Sequence, residues 1–115
     1  KQLHLNDNEL TCLSLKHLAN SEFLTQITHL SLGYNSLGDS EMANFVKSGN
    51  CLSITHLWLQ QNSLTKDALT EIAFSKCLVN LVELNVKQNN VGDEGIKALT
   101  IGNLKKLRTL NVNHN

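Results

Sequence analysis

The hydrophobic positions of this chain follow a phrase that recurs at nearly constant spacing. Each copy has two aliphatic residues separated by one free position, then two free positions and an asparagine. In the first four copies, one free position and a third aliphatic residue follow the asparagine. The five asparagines lie 27, 27, 27 and 26 residues apart, at Asn8, Asn35, Asn62, Asn89 and Asn115. A fixed period of this length predicts a stacked-repeat solenoid, in which each unit contributes one short strand and one return segment.

The second phrase shows how one repeat is built. Apolar and polar residues alternate from Ile27 to Gly33, which predicts a half-buried strand with Leu30 and Leu32 directed into the core. The positions predicted to face outward are His29, Ser31 and Gly33. The asparagine that follows can both donate and accept hydrogen bonds. A column of such residues is therefore predicted to satisfy the backbone groups at each turn of the solenoid.

The return segments carry helical patterns. Gly38 and Asp39 predict a turn and a helix N-cap, and the apolar residues Met42, Phe45 and Val46 follow at three- and four-residue spacing. Comparable starts occur at residues 65–67 and 92–95. The absence of proline from the chain is consistent with helices in every return segment.

These phrases resemble the leucine-rich repeat family over essentially the whole chain. The segment Asn90–Leu99 is similar to the ribonuclease-inhibitor-like subclass, and Lys76-Cys77-Leu78 before a strand is similar to the cysteine-containing subclass. The resemblance implies an α/β solenoid shaped as a horseshoe arc, with a parallel β-sheet on the concave face and α-helices on the convex face. We expect residues 1–115 to form a single domain of about four repeats of 26–27 residues, taken from a longer array, because neither end shows a polar cap.

Composition narrows the range of functions. The formal net charge is zero and Arg108 is the single arginine. The sequence shows no clustered basic face, so we predict no nucleic-acid partner. No apolar run reaches the length of about 18 residues that a membrane span needs, and no signal peptide opens the chain. Asn-x-Ser/Thr triplets are absent. We therefore expect a cytoplasmic protein without a membrane partner.

The three cysteines, Cys12, Cys51 and Cys77, are odd in number and lack the spacing of a metal knuckle or a disulfide cap. Cys51 replaces a leucine of the repeat, so we expect it to be a small buried hydrophobe. Cys77 falls near a loop and Cys12 near a helix start. Neither has a histidine or aspartate partner in a matching position that would favour catalysis.

The outward strand positions form columns that the repeat leaves free to vary. They are rich in amides and imidazoles, and they contain the only tryptophan and the only tyrosine of the chain. Aromatic residues ringed by polar groups are typical of binding hot spots. The predicted partner-binding residues are Tyr34, Trp58, His29, His56, Gln60, Glu83, Asn85 and Lys87. The alternative is that Trp58 only packs on His29, His56 and Asn85.

His29 and His56 occupy the same position on adjacent predicted strands, and Glu83 follows on the next one. Such a row leaves two further hypotheses open, a divalent-metal site and an interface that depends on pH. Because a flat sheet column converges poorly on one point, we predict no metal ligand and no cofactor.

The sequence favours binding over catalysis. We predict no enzyme activity, since no phosphate-binding loop and no pair of nucleophile and base is present. The leading hypothesis is a monomeric interaction module that binds a protein or peptide through the concave sheet, as the family resemblance also implies. The alternative is a structural spacer within a larger multidomain protein, such as a sensor, a ubiquitin-ligase adaptor or a bacterial effector.

Overall fold

One α-helix lies between each pair of consecutive strands along the chain. The computed structural model describes all 115 residues. Five short strands form one parallel sheet in chain order: β1 (Gln2–His4), β2 (His29–Ser31), β3 (His56–Trp58), β4 (Glu83–Asn85) and β5 (Thr109–Asn111). Between them lie α1 (Cys12–Ala19), a 3₁₀ helix (Glu22–Gln26), α2 (Asp39–Lys47), α3 (Lys66–Ala73) and α4 (Gly92–Ile101). The predicted mixed α/β class with a parallel sheet is confirmed.

The register of the sheet follows the repeat. Leu30 of β2 pairs with Leu57 of β3, which pairs with Leu84 of β4. All three leucines are fully buried in one hydrophobic cluster, together with helix residues such as Phe45 and Ile72. Because equivalent residues stack on one another, each repeat completes the apolar surface of its neighbour.

The helices pack on one side of the sheet, and the other side is free of them. We call that second side the open sheet face. It consists of two columns of strand side chains that point away from the helices. The first column is Gln2, His29, His56, Glu83 and Thr109, and the second is His4, Ser31, Trp58, Asn85 and Asn111.

The asparagine that follows each strand bonds to two repeats at once. The side-chain oxygen of Asn62 accepts from the backbone N–H groups of Asn35 at 3.2 Å and Leu37 at 2.8 Å. Its amide nitrogen donates to the carbonyls of Leu32 at 3.1 Å and Leu59 at 3.0 Å. Related bonds to the preceding repeat are made by Asn35, Asn89 and Asn115. Backbone groups at the turns are thereby paired across repeats.

Helix α2 begins at Asp39, where the sequence predicts a helix start, but the Asp39 side chain does not cap its own helix. The residue that precedes α2 is Gly38, whose N–H donates to the Glu41 carboxylate at 2.9 Å. The Asp39 carboxylate instead accepts from the next repeat. Its donors are the Thr65 N–H at 2.8 Å, the Thr65 hydroxyl at 2.6 Å and the Ala68 N–H at 3.2 Å. Stacking brings the start of α3 beside Asp39, so its carboxylate is hydrogen-bonded to the following repeat and not to its own helix.

The cysteines also differ from expectation. Cys51 is fully buried in the core, but it forms a disulfide with Cys77, whereas the sequence predicts no disulfide. The two Cα atoms lie 5.3 Å apart because residues 26 apart sit side by side in the stack. Sequence spacing hides this proximity, since a solenoid places distant residues next to each other. Cys12 is exposed and unpaired.

Candidate functional site

Trp58 lies at the centre of an aromatic cluster on the open sheet face. Its ring stacks nearly parallel to His4, with centroids 6.4 Å apart, and tilts against His29 at 5.9 Å and His56 at 6.0 Å. The indole N–H donates to the Glu83 carboxylate at 2.6 Å. Trp58 is therefore half-buried and held by its neighbours, and its indole presents a fixed surface.

The two histidines of the cluster stack on each other. The ring centroids of His29 and His56 are 4.1 Å apart and the planes differ by 6°. Burial lowers the pKa of His29 below its ordinary value of 6.5, and the neighbouring His56 lowers it further. The α-amino group of Lys1 and the ring of His4 also lower the pKa of His29, whereas the Glu83 carboxylate raises it. The balance favours a neutral ring at His29 near neutral pH.

This arrangement does not gather metal ligands. No group of three His, Cys, Asp or Glu side chains in the structure is placed to hold a metal ion. The stacked rings of His29 and His56 lie parallel, and the Glu83 carboxylate is turned towards the indole of Trp58. A metal site needs donors that converge on one point, and stacked rings do not converge.

Two small positions beside Trp58 are covered and not exposed. Ser31 and Gly33 belong to outward positions, yet both are buried. The Ser31 hydroxyl donates to the side-chain oxygen of Asn6 at 2.6 Å, and the Gly33 N–H donates to the same oxygen at 2.8 Å. The Gln60 side chain lies over Gly33, where an added Cβ would come within 2.6 Å of its amide nitrogen. Outward direction therefore does not guarantee exposure on this face.

The remaining predicted residues extend the face along β4. Asn85 accepts from the backbone N–H of Lys87 at 3.0 Å through its side-chain oxygen, which fixes the turn after the strand. Both side chains are half-exposed. Gln60 has a buried side-chain oxygen without a hydrogen-bond partner.

Tyr34 lies at the edge of the face and is the most exposed aromatic residue near it, at 48%. Its backbone is left-handed, with φ of 61°. The equivalent residues of the other repeats share this conformation: Asp7, Gln61, Gln88 and His114. The turn before each asparagine therefore sets the direction of the side chain at this position, and it holds Tyr34 out towards solvent.

The helix side carries a feature that the repeat pattern did not predict. A cleft of about 520 Å³ lies between the C-terminal ends of α2 and α3, and its wall includes Val46, Leu52 and Phe74. Leu52 and Phe74 are 51% and 44% exposed. A signal was available in the sequence, since the residue 27 positions before Phe74 is the polar Lys47.

The comparisons with known proteins agree with the fold. Residues 78–99 match the family model described as "Leucine Rich repeat". This match supports the interpretation of the chain as a leucine-rich repeat protein. No curated protein matches the sequence at a significant level.

Two solved structures illustrate the similarity of this fold to known proteins. One is the tropomodulin C-terminal domain from Caenorhabditis elegans, with a TM-score of 0.75, 17% identity, and coverage of 97% of this chain and 72% of that one. The other is leiomodin-1 actin-binding site 2, with a TM-score of 0.74, 20% identity, and coverage of 96% and 69%. At these identities the similarity shows a shared fold. Separately, no helix in the structure has the length and apolar character required to span a bilayer.

Proposed function

We propose that this chain is a non-catalytic protein-interaction module that binds a protein or peptide through the open sheet face. The observation that carries the proposal is the cluster of Trp58, His29, His56 and Glu83, with the exposed Tyr34 at its edge. A tryptophan held in place by its neighbours loses little side-chain entropy when a partner covers it, and central aromatic residues dominate binding energy in many interfaces.

The proposal also includes the subclass of the repeats and the curvature of the array. Return helices of eight to ten residues support the ribonuclease-inhibitor-like subclass, and a curved array would make the open sheet face concave. We also propose a monomer that acts in the cytoplasm. In that compartment we expect the Cys51–Cys77 pair as thiols, because disulfides persist mainly in oxidising environments.

The test compares two faces of the same molecule. Wild-type protein and a Trp58→Ala/Tyr34→Asn variant are used to capture partners from lysate, and the captured proteins are quantified. Asparagine is chosen at position 34 because it tolerates the left-handed backbone there. Leu13→Ala/Phe74→Ala, which removes exposed apolar side chains on the helix side, is the matched control.

We expect each hot-spot substitution in the open-face variant to weaken the binding free energy by at least about 2 kcal/mol. That variant should therefore capture less of the partner, and the helix-side variant should capture as much as wild type. Circular dichroism and denaturation establish beforehand that each variant is folded. Equal capture by wild type and open-face variant would contradict the proposal. It would favour the alternative of a structural spacer, or binding through the cleft of Leu52 and Phe74.

Actin is the one defined partner to test first. The leiomodin-1 structure is an actin-binding site built on a similar fold. Binding of purified actin that the Trp58→Ala/Tyr34→Asn variant loses would identify the partner. If neither protein binds actin, that partner is excluded and the capture experiment decides the role of the face.

A further inference from the structure

His29 and His56 have matching hydrogen-bond surroundings. The ring nitrogen Nδ1 of His29 lies 2.9 Å from the hydroxyl of Thr28, and Nδ1 of His56 lies 2.8 Å from the hydroxyl of Thr55. In both cases the threonine immediately precedes the histidine. The repeat therefore places two imidazoles on neighbouring strands in the same hydrogen-bonded position.

The second contact of each threonine decides which ring nitrogen carries the proton. The Thr28 hydroxyl donates to the carbonyl of Lys1 at 3.1 Å, and the Thr55 hydroxyl donates to the carbonyl of Thr28 at 3.1 Å. A hydroxyl has one proton and a carbonyl can only accept, so both contacts are hydrogen bonds only when Nδ1–H donates to the hydroxyl. In the neutral rings of His29 and His56, Nε2 is then a free acceptor.

The next strand continues the row with a further acceptor. Glu83 pairs in register with His56, as His56 pairs with His29. One carboxylate oxygen of Glu83 accepts from the indole of Trp58, and the other has no bond within the protein. Two imidazole acceptors and a carboxylate thus lie side by side, next to the half-buried ring of Trp58.

We propose that the row His29, His56 and Glu83, beside Trp58, recognises an arginine side chain of the protein partner. The inference rests on the proposed function and specifies the chemistry of the bound group. A guanidinium offers planar donors to the row and stacks on aromatic rings, and it is opposite in charge to Glu83. A carboxylate from the partner would instead meet the Glu83 carboxylate and unprotonated nitrogens.

The recognition also depends on pH. Burial and the adjacent His56 lower the pKa of His29, which keeps its Nε2 an acceptor at neutral pH. The other titratable groups around the ring are His4, the amino group of Lys1 and Glu83. Protonation of an imidazole turns the acceptor into a positively charged donor, so arginine binding weakens as the pH falls through the histidine range.

The first test measures the tautomers and a defined probe in the full chain. Long-range proton–nitrogen NMR reports which imidazole nitrogens are protonated in the free protein. The probes are capped tripeptides Gly-Arg-Gly and Gly-Glu-Gly, added in the presence of EDTA to exclude metal effects. We expect unprotonated Nε2 at both histidines, and a shift of the Trp58 indole signal with the arginine peptide only. Protonated Nε2 at both rings, or a shift with the glutamate peptide alone, would overturn the inference.

The second test uses Glu83→Gln, which keeps an oxygen that can accept from Trp58 but removes the charge. Glu94→Gln on the exposed surface of α4 is the matched control. We expect arginine-peptide binding to weaken by about tenfold in Glu83→Gln and to stay unchanged in Glu94→Gln. Unchanged binding in Glu83→Gln would contradict arginine recognition.

The two proposals can fail separately. If partner capture requires Trp58 and Tyr34 but is insensitive to Glu83→Gln, the open sheet face remains the binding surface and arginine recognition is wrong. Arginine peptides could bind at Glu83 while partner capture is unchanged by substitution of Trp58 and Tyr34. That result would support arginine recognition and would contradict the proposed role of the face in partner capture.

Discussion

At the scale of single residues, the asparagine after a strand pairs with backbone N–H and C=O groups of two repeats that would otherwise have no partner. Asn62 shows the full set, with two bonds accepted from backbone N–H groups and two donated to carbonyls. Asn8, in the first repeat, is exposed, and its side chain donates only to the carbonyl of Asn6 at 2.8 Å. The Asn62 side chain therefore bonds to two repeats, whereas the Asn8 side chain bonds only within its own turn.

This contrast predicts the effect of removing the amide. We expect Asn62→Ala to lower the free energy of unfolding by about 2–4 kcal/mol, because partly buried backbone groups lose their partners. Asn8→Ala is the internal control, with an expected loss below about 1 kcal/mol. Urea denaturation measures both. Equal losses would show that the bonds across repeats contribute little.

His29 predicts a dependence of stability on pH. Its pKa lies below 6.5 in the folded protein, owing first to burial and then to His56. The unfolded chain therefore binds the proton more readily. The contribution of His29 to the free energy of unfolding is fully present above pH 6.5, falls as the pH drops below that value, and levels off below the folded-state pKa.

We expect His29→Gln to reduce this slope between about pH 7.5 and about pH 5.5 in denaturation experiments. His17→Gln, on the exposed surface of α1, serves as control and should keep the slope. A slope that is the same in wild type and His29→Gln would show that protonation of His29 is not coupled to folding.

At the scale of elements, neighbouring return segments are joined by polar groups as well as by the core. The Asp39 carboxylate accepts three hydrogen bonds at the start of α3. We expect Asp39→Ala to destabilise the fold by about 2 kcal/mol, since the first turn of α3 loses its acceptor. Asp67→Ala, an exposed residue within the same turn, should cost far less. Denaturation of both variants provides the measurement, and similar losses would assign the effect to helix charge alone.

The link between the loops after α2 and α3 gives a chemical prediction. With Cys51 and Cys77 joined, only Cys12 should react with iodoacetamide in denatured, non-reduced protein. Mass spectrometry counts the labels, and three labels without reduction would contradict the pairing. Reduction of this bond should lower the free energy of unfolding by about 3 kcal/mol, because it releases a loop of 26 residues.

At the scale of the whole molecule, the parallel stack divides the surface into two sides with different chemistry. The open sheet face gathers imidazoles, amides, an indole and one carboxylate. The helix side carries the cleft whose wall includes Leu52 and Phe74. A binding function can therefore be assigned to one side by variants that leave the other intact.

The sequence by itself determined the repeat, the order of strands and helices, and the buried leucines. These features follow from local periodicity, because every repeat carries the same pattern of hydrophobic and polar residues. The columns of the open sheet face were also predictable, since a strict period fixes which residues become neighbours.

Only the tertiary structure decided how the neighbouring side chains meet. It placed the indole of Trp58 against Glu83, covered Gly33 with Gln60, joined Cys51 to Cys77 and gave Asp39 to the next helix. These outcomes depend on rotamers and on distances between repeats. The period fixes which strand positions adjoin, but it does not fix the direction a side chain takes once it reaches its neighbour.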